Sequence, residues 1–112
     1  MSCIFCMIAQ NQIPSKLIYE DELIMAFHDI EPKAPVHCLV IPKAHIDSVD
    51  SIDHTNSAIV AHIFTKIPLI AKELGLEGGY RVVSNIGGHA GQSVKHLHFH
   101  ILGGGQLSME MA

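Results

Sequence analysis

The sequence predicts an α+β domain: a mainly antiparallel sheet of about five strands, packed by one long helix and one short N-terminal helix. Two patterns carry this expectation. Short segments around residues 17–19, 23–28, 36–41, 80–84 and 95–102 are apolar or alternate in strand fashion, and are separated by turn residues. A longer stretch spaces Ile59, Ile63, Ile67, Ile70 and Leu74 along one helical stripe, which suits a helix covering the apolar face of the sheet. The chain has 112 residues, and residues 1–112 are read as a single domain with a real core.

Ser2 to Gln10, with Ile4, Phe5, Ile8 and Ala9, reads as a short helix that carries Cys3 and Cys6 on adjacent turns; Asn11 and Pro14 end it. Leu17 to Tyr19 and Leu23 to His28 form a hairpin across Glu20–Asp21–Glu22. Asp29 to Pro35, with two prolines, is a loop, and Val36 to Ile41 is an apolar strand closed by Pro42. Pro42–Lys43–Ala44–His45 leaves the sheet, and a polar connection runs on to Asp53. The long helix is expected from Asp53 or Thr55 to about Leu74, stopped by Gly75, with a kink or two abutting helices at Pro68. Tyr80 to Ser84 is the next strand. A glycine-rich segment, Gly87 to Ser93, then leads into Lys95 to Leu102, and Gln106 to Ala112 forms a tail.

Composition excludes several function classes. Seven basic and eleven acidic residues give a formal charge of -4 without a basic patch, against a general nucleic-acid binder. A small phosphate ligand stays open, because backbone N–H groups and histidines can hold one. No run reaches the roughly 18 to 20 apolar residues of a membrane span and no signal segment opens the chain, so the expected location is cytoplasmic. Three cysteines, two of them three positions apart, favour thiols or metal ligands over a disulfide framework.

The chemistry concentrates in Lys95–His96–Leu97–His98–Phe99–His100–Ile101–Leu102. Alternation in an extended strand sets the three histidines on one face and Leu97, Phe99 and Ile101 on the other. Three neighbouring imidazoles can divide the work of moving a phosphoryl or nucleotidyl group: one ring nitrogen attacks, its other nitrogen is held, and the flanking rings fix geometry. His98, flanked on both sides, is the nucleophile candidate; a purely metal-binding strand is the competing reading. Gly87 to Ser93 offers backbone N–H groups, the Gln92 amide and the Ser93 hydroxyl to phosphate oxygens. Cys3 and Cys6 have metal-like spacing but need two more ligands, for which His45 and one triad histidine are the candidates. Small core thiols or a redox pair compete with that reading, and Cys38 is read as core.

With these motifs in place, the chain closely resembles the histidine-triad family of nucleotide hydrolases and transferases. Within it, the resemblance is to the protein kinase C-interacting-like branch of purine nucleoside phosphoramidases. It runs from Cys3–Ile4–Phe5–Cys6 through Ala26–Phe27–His28–Asp29–Ile30, Val40–Ile41–Pro42–Lys43–Ala44–His45 and Gly91–Gln92–Ser93–Val94 to His96-x-His98-x-His100. The resemblance implies the histidine-triad fold and hydrolysis of the P–N bond of purine, AMP-type nucleoside 5'-phosphoramidates. The reaction would pass through a covalent nucleotidyl-His98, release the nucleoside monophosphate and an amine, and require no catalytic metal.

By the same resemblance His100 and Gln92 would contact phosphate oxygens, Ser93 would lie beside the leaving group, and His37 would orient His98 through its other ring nitrogen. Asn85 would hold phosphate or ribose, Asp29 would accept from ribose hydroxyls, and Phe27, Ile30 and Ile8 would sandwich the base. Cys3, Cys6, His45 and His96 would bind a structural zinc, and a homodimer would form through the long helix and the strand from Tyr80. The tail departs from the family, having no aromatic residue and carrying Glu110; for His89, in the glycine-rich segment, contact with the leaving group and a solvent-facing position are both open. A dinucleoside polyphosphate hydrolase or nucleotidylyl transferase, and a non-catalytic zinc-stabilised nucleotide-binding module, are the alternatives.

Overall fold

The computed structural model describes residues 3–112, so Ser2, where the first helix was expected to begin, lies outside the described residues. Five strands, β1 (Leu17–Glu20), β2 (Ile24–His28), β3 (Val36–Pro42), β4 (Tyr80–Val83) and β5 (Phe99–Gly103), form one sheet in the order β1-β2-β3-β5-β4. Every neighbouring pair is antiparallel. The helices are α1 (Ile4–Ala9) and α2 (Ser57–Glu73), so the expected α+β architecture is the one observed. No helix among the described residues is long and apolar enough to cross a membrane.

Alternation along β2, β3 and β5 feeds two apolar layers. Ile24, Ala26, Cys38, Val40, Phe99 and Ile101 face α2 and pack with Ile63, Ile67 and Ile70. Met25, Phe27, Leu39 and Ile41 face the other way and pack with Phe5, Ile8 and Ala9 of α1. A fully buried isoleucine such as Ile70 stabilises the fold by about 1.5–3 kcal/mol, so α2 supplies much of what holds the sheet.

Pro68 does not divide the helix. It sits within one continuous α2, on the exposed side, where water can reach the carbonyl that its missing N–H leaves unpaired. The helix starts at Ser57 rather than at residue 53 or 55, because Asp53 closes its own turn by accepting from Thr55. Gly75, at φ 75°, stops it as expected.

The β1–β2 turn is tied to α2 through Asp21. One carboxylate oxygen accepts from the Leu23 and Ile24 amides; the other accepts from Tyr19 Oη and faces His62 Nε2, both at 2.7 Å. Burial pushes the Asp21 carboxyl up, but these bonds outweigh it and hold the group well below the usual carboxylate range.

The largest departure concerns the histidine strand. Sheet pairing begins only at Phe99, so His96 and His98 lie in an irregular lead-in rather than in a strand over 95–102. There the Leu97 amide donates to the Ile46 carbonyl at 2.6 Å instead of to a neighbouring strand. Alternation survives because it belongs to extended backbone and not to pairing: Leu97 is buried with the α2 layer while Phe5, on the α1 side, touches both His96 and His98.

Candidate active site

On the α1 side of the sheet, the end of β2, the 29–35 loop, β3 and the β5 lead-in enclose a cleft of about 540 Å³. That volume suits a small ligand. His98, His100 and His37 line it together with Asp29, Asn85, Ser93, Phe27, Ile8 and Ile30. Phe27 and Ile8 are buried in the wall, whereas Ile30 stands 92% exposed at the rim.

Hydrogen bonds fix the state of each imidazole. His98 Nδ1 lies 2.7 Å from the carbonyl of His96, which can only accept, so Nδ1 carries the proton and Nε2 keeps its lone pair. The carbonyl oxygen of His98 accepts from Ser84 Oγ at 2.8 Å, steadying the backbone that carries the ring. At His37 the logic reverses. The Lys33 amide donates to His37 Nδ1 at 2.9 Å, so the proton sits on Nε2 and is donated to His100 Nδ1 at 2.8 Å. His100 is thereby left with Nε2–H as its donor. Burial, together with the neighbouring His98 and His37, pushes the His100 pKa down to about 4 and keeps it neutral; burial also lowers His37.

Two placements differ from the resemblance-based expectation. His37 pairs with His100, while His98 is oriented by the His96 carbonyl, because the β3–β5 register puts His37 opposite Leu102 and closer to the β5 end of the site. Gln92 does not line the cleft. Its amide nitrogen donates to the Asp47 and Val94 carbonyls and its oxygen accepts from the Gly87 amide, so its polar atoms knot the glycine-rich loop instead of facing a phosphate. Gly87 and Gly91, with φ 81° and 79°, supply the left-handed backbone this knot requires.

Beside the cleft, Cys3, Cys6, His45 and His96 bring four donor atoms within 4.8 Å of one another. Cys3 Sγ is 3.3 Å from His96 Nδ1, and Cys6 Sγ is 3.3 Å from His45 Nδ1. The remote nitrogens are held: His96 Nε2 by the Pro42 carbonyl and His45 Nε2 by Asp47 Oδ1, each at 2.8 Å. Two thiols and two imidazoles, with both rings anchored from behind, fit a closed tetrahedral zinc-type ion. Asp29, His37 and His100 also converge within 4.8 Å, but there an ion would have to displace the His37 Nε2 proton onto Nδ1, which faces the Lys33 amide. That set is a hydrogen-bond chain. Cys38 takes no part in either cluster; burial pushes its thiol up to about 12.

Reading residue types alone missed Phe5 and Lys33. Phe5 sits between the two paired cysteines, a position that signals its anchoring, and its ring stands edge-on to His98 at 5.1 Å. Lys33 acts through its main-chain amide, which no side-chain pattern announces. His89 lies in a short 3-10 turn, Gly88–Ala90, away from the cleft lining.

Residues 10–107 match the HIT domain family. The chain is 43% identical over 102 residues to Protein HitA of Neisseria gonorrhoeae, covering 91% of this chain and 95% of that one. Among solved structures, a HIT family hydrolase from Legionella pneumophila superposes with a TM-score of 0.95 at 42% identity, covering 99% and 100% of the two chains. A histidine triad protein from Clostridium difficile superposes with a TM-score of 0.94 at 50% identity, covering 98% and 96%. The chain belongs to the HIT, or histidine triad, family.

Proposed function

We propose that this protein hydrolyses the P–N bond of purine nucleoside 5'-phosphoramidates of the AMP type through a nucleotidyl-His98 intermediate. One observation carries the reading: the His96 carbonyl accepts a hydrogen bond from His98 Nδ1–H and so leaves the Nε2 lone pair free in a cleft that also holds a neutral His100 donor. Nε2 attacks the α-phosphorus, the P–N bond breaks, and the departing amine takes up a proton from solvent on the Ser93 side. The ring becomes cationic on phosphorylation, and the His96 carbonyl stabilises that charge through Nδ1–H. His100 Nε2–H donates to the phosphate oxygens. Water then attacks phosphorus and gives up a proton to solvent, the P–Nε2 bond breaks, and the nucleoside monophosphate leaves with His98 restored.

The rest of the cleft suits a nucleoside. Ile8 and Phe27 offer the base apolar walls with Ile30 at the rim, and Asp29 and Asn85 present polar groups to ribose and phosphate. Cys3, Cys6, His45 and His96 would hold a structural zinc, which would supply a cross-link with every position filled by protein; the steps above run on protein groups alone. A homodimer would form across β4, an edge strand with Tyr80 at its surface, and the exposed Phe64 and Leu69 of α2.

Lys16 and Lys33 also line the cleft, which favours a dinucleoside polyphosphate as the second reading, since their charge suits a polyphosphate leaving group. The test is to incubate the protein and His98→Ala with adenosine 5'-phosphoramidate and diadenosine polyphosphates while following intact mass. Turnover of the phosphoramidate, with a nucleotidyl adduct seen only when His98 is present, is expected. Preferred polyphosphate cleavage promotes the second reading, and no turnover or adduct with any substrate overturns both.

A further inference from the structure

The helix α1 belongs to two sites at once. Cys3 caps its first turn, accepting from the Cys6 amide at 3.4 Å, and both thiols face the histidine pair of the metal-type cluster. Between them Phe5 turns into the protein. Its ring stands edge-on to His96 at 5.9 Å and to His98 at 5.1 Å, and makes an edge contact with Phe27 at 5.7 Å. With six residues, α1 is too short to hold its own shape, so tertiary anchors at its two sides decide where Phe5 sits. His96 is a second shared part: its ring faces the cysteines while its main-chain carbonyl holds His98 Nδ1.

We propose that Phe5 is a positioning residue for His98, held in place by occupancy of the Cys3, Cys6, His45 and His96 cluster with a zinc-type cation. The inference rests on His98 being the nucleophile. With the four donors joined, α1 is fixed to the segments bearing His45 and His96, and the Phe5 ring keeps the His98 imidazole in one orientation. Without the cation, α1 is held by Phe5, Ile8 and Ala9 against the sheet and by weak thiol–imidazole contacts, and the imidazole gains freedom. The loss falls on kcat rather than on KM, because ring alignment matters most as the nitrogen meets phosphorus. Cation loading of the cluster would thus set the rate at a site that needs no metal for its own steps.

The test loads the full chain with zinc, strips it with a chelator, and does both for the unsubstituted protein and for Phe5→Leu. Two readouts are taken: the NMR signals of the His98 ring without substrate, and kcat and KM for adenosine 5'-phosphoramidate. Binding of one zinc per chain is expected. Stripping should move and broaden the His98 signals and lower kcat about three- to tenfold, the size of a lost aromatic contact, with KM changed less than about twofold. Loaded Phe5→Leu should show the same changes, and stripping it should add little, since the link is already cut.

Failure to bind zinc overturns the proposal. So do His98 signals and kcat that ignore stripping, effects of stripping and substitution that multiply in full, or a collapse of the far-UV circular dichroism on stripping, which would assign the cation a general structural role. Phe5→Met replaces Phe5→Leu if the latter does not fold, and the stripping arm needs no substitution. His98 signals that respond to zinc in a protein that turns over no phosphoramidate would sink the activity reading and leave the coupling standing.

Discussion

Acidification from pH 7 to pH 4 should destabilise this protein through His100, and the size follows from the site. Buried beside His98 and His37, His100 binds its proton at about 4 in the fold, against 6.5 for the free side chain. Between those values the unfolded chain binds more protons than the native one, so stability rises with pH there and falls as pH drops. Each pH step costs about 1.4 kcal/mol, which gives about 3 kcal/mol lost by pH 4, with only about 0.4 kcal/mol more from this group below it. His37, also lowered by burial, acts in the same direction. Urea unfolding at pH 7, 6, 5 and 4, for the unsubstituted protein and for His100→Gln, measures the His100 share as the difference between the two curves. Any cation released by acid is released from both proteins and cancels. The gap should change by about 3 kcal/mol across the window; a gap flat to within about 0.5 kcal/mol, or an NMR titration of His100 centred near its ordinary value, would refute the reasoning.

Three further outcomes test other parts of the fold. Asp21→Asn should cost about 1–2 kcal/mol at pH 7, because the amide meets Tyr19 Oη and His62 Nε2 with a donor where an acceptor stood. Since the Asp21 pKa is depressed, that deficit should shrink as pH falls below the unfolded carboxylate value of about 4, which acid unfolding curves will show. Gln92→Ala should speed hydrogen exchange at the Gly87 amide and loosen the loop by about 1 kcal/mol, whereas a residue that only touched ligand would leave exchange in the free protein unchanged. Gly104→Ala should lower the melting temperature by a loss of about 1–2 kcal/mol, because φ is +89° and the new Cβ would lie 3.0 Å from Val36 Cγ2.

The strands were legible because extended backbone alternates whatever it pairs with. That rule set Ile24 and Ala26 against Met25 and Phe27, and it kept the three histidines together even where pairing stops before Phe99. It could not locate that stop, which depends on the Leu97 amide finding the Ile46 carbonyl, a contact between loops distant in sequence. The Pro68 break was overestimated for a related reason: an unpaired carbonyl is costly only where water cannot reach it. In the site, residue types singled out His98 and the histidines beside it and the family resemblance added His37, but partner choice turned on main-chain groups. The His96 carbonyl and the Lys33 amide decide which nitrogen of each ring is bare, and neither carries a side-chain signature.

The strand order has a consequence for how the protein is made. β5 is the last strand in sequence yet lies between β3 and β4. As the chain leaves the ribosome, the first four strands can assemble only as a hairpin-based β1-β2-β3 sheet and a separate β4, each presenting an open edge where β5 belongs. The contacts that join them span most of the chain, which slows closure and lengthens the time those edges stay bare. The strand that closes this gap begins at Phe99 and carries His100, with His98 immediately before it. An incomplete chain therefore has neither a finished sheet nor the proposed nucleophile, and the insertion that completes the fold is also the one that completes the cleft.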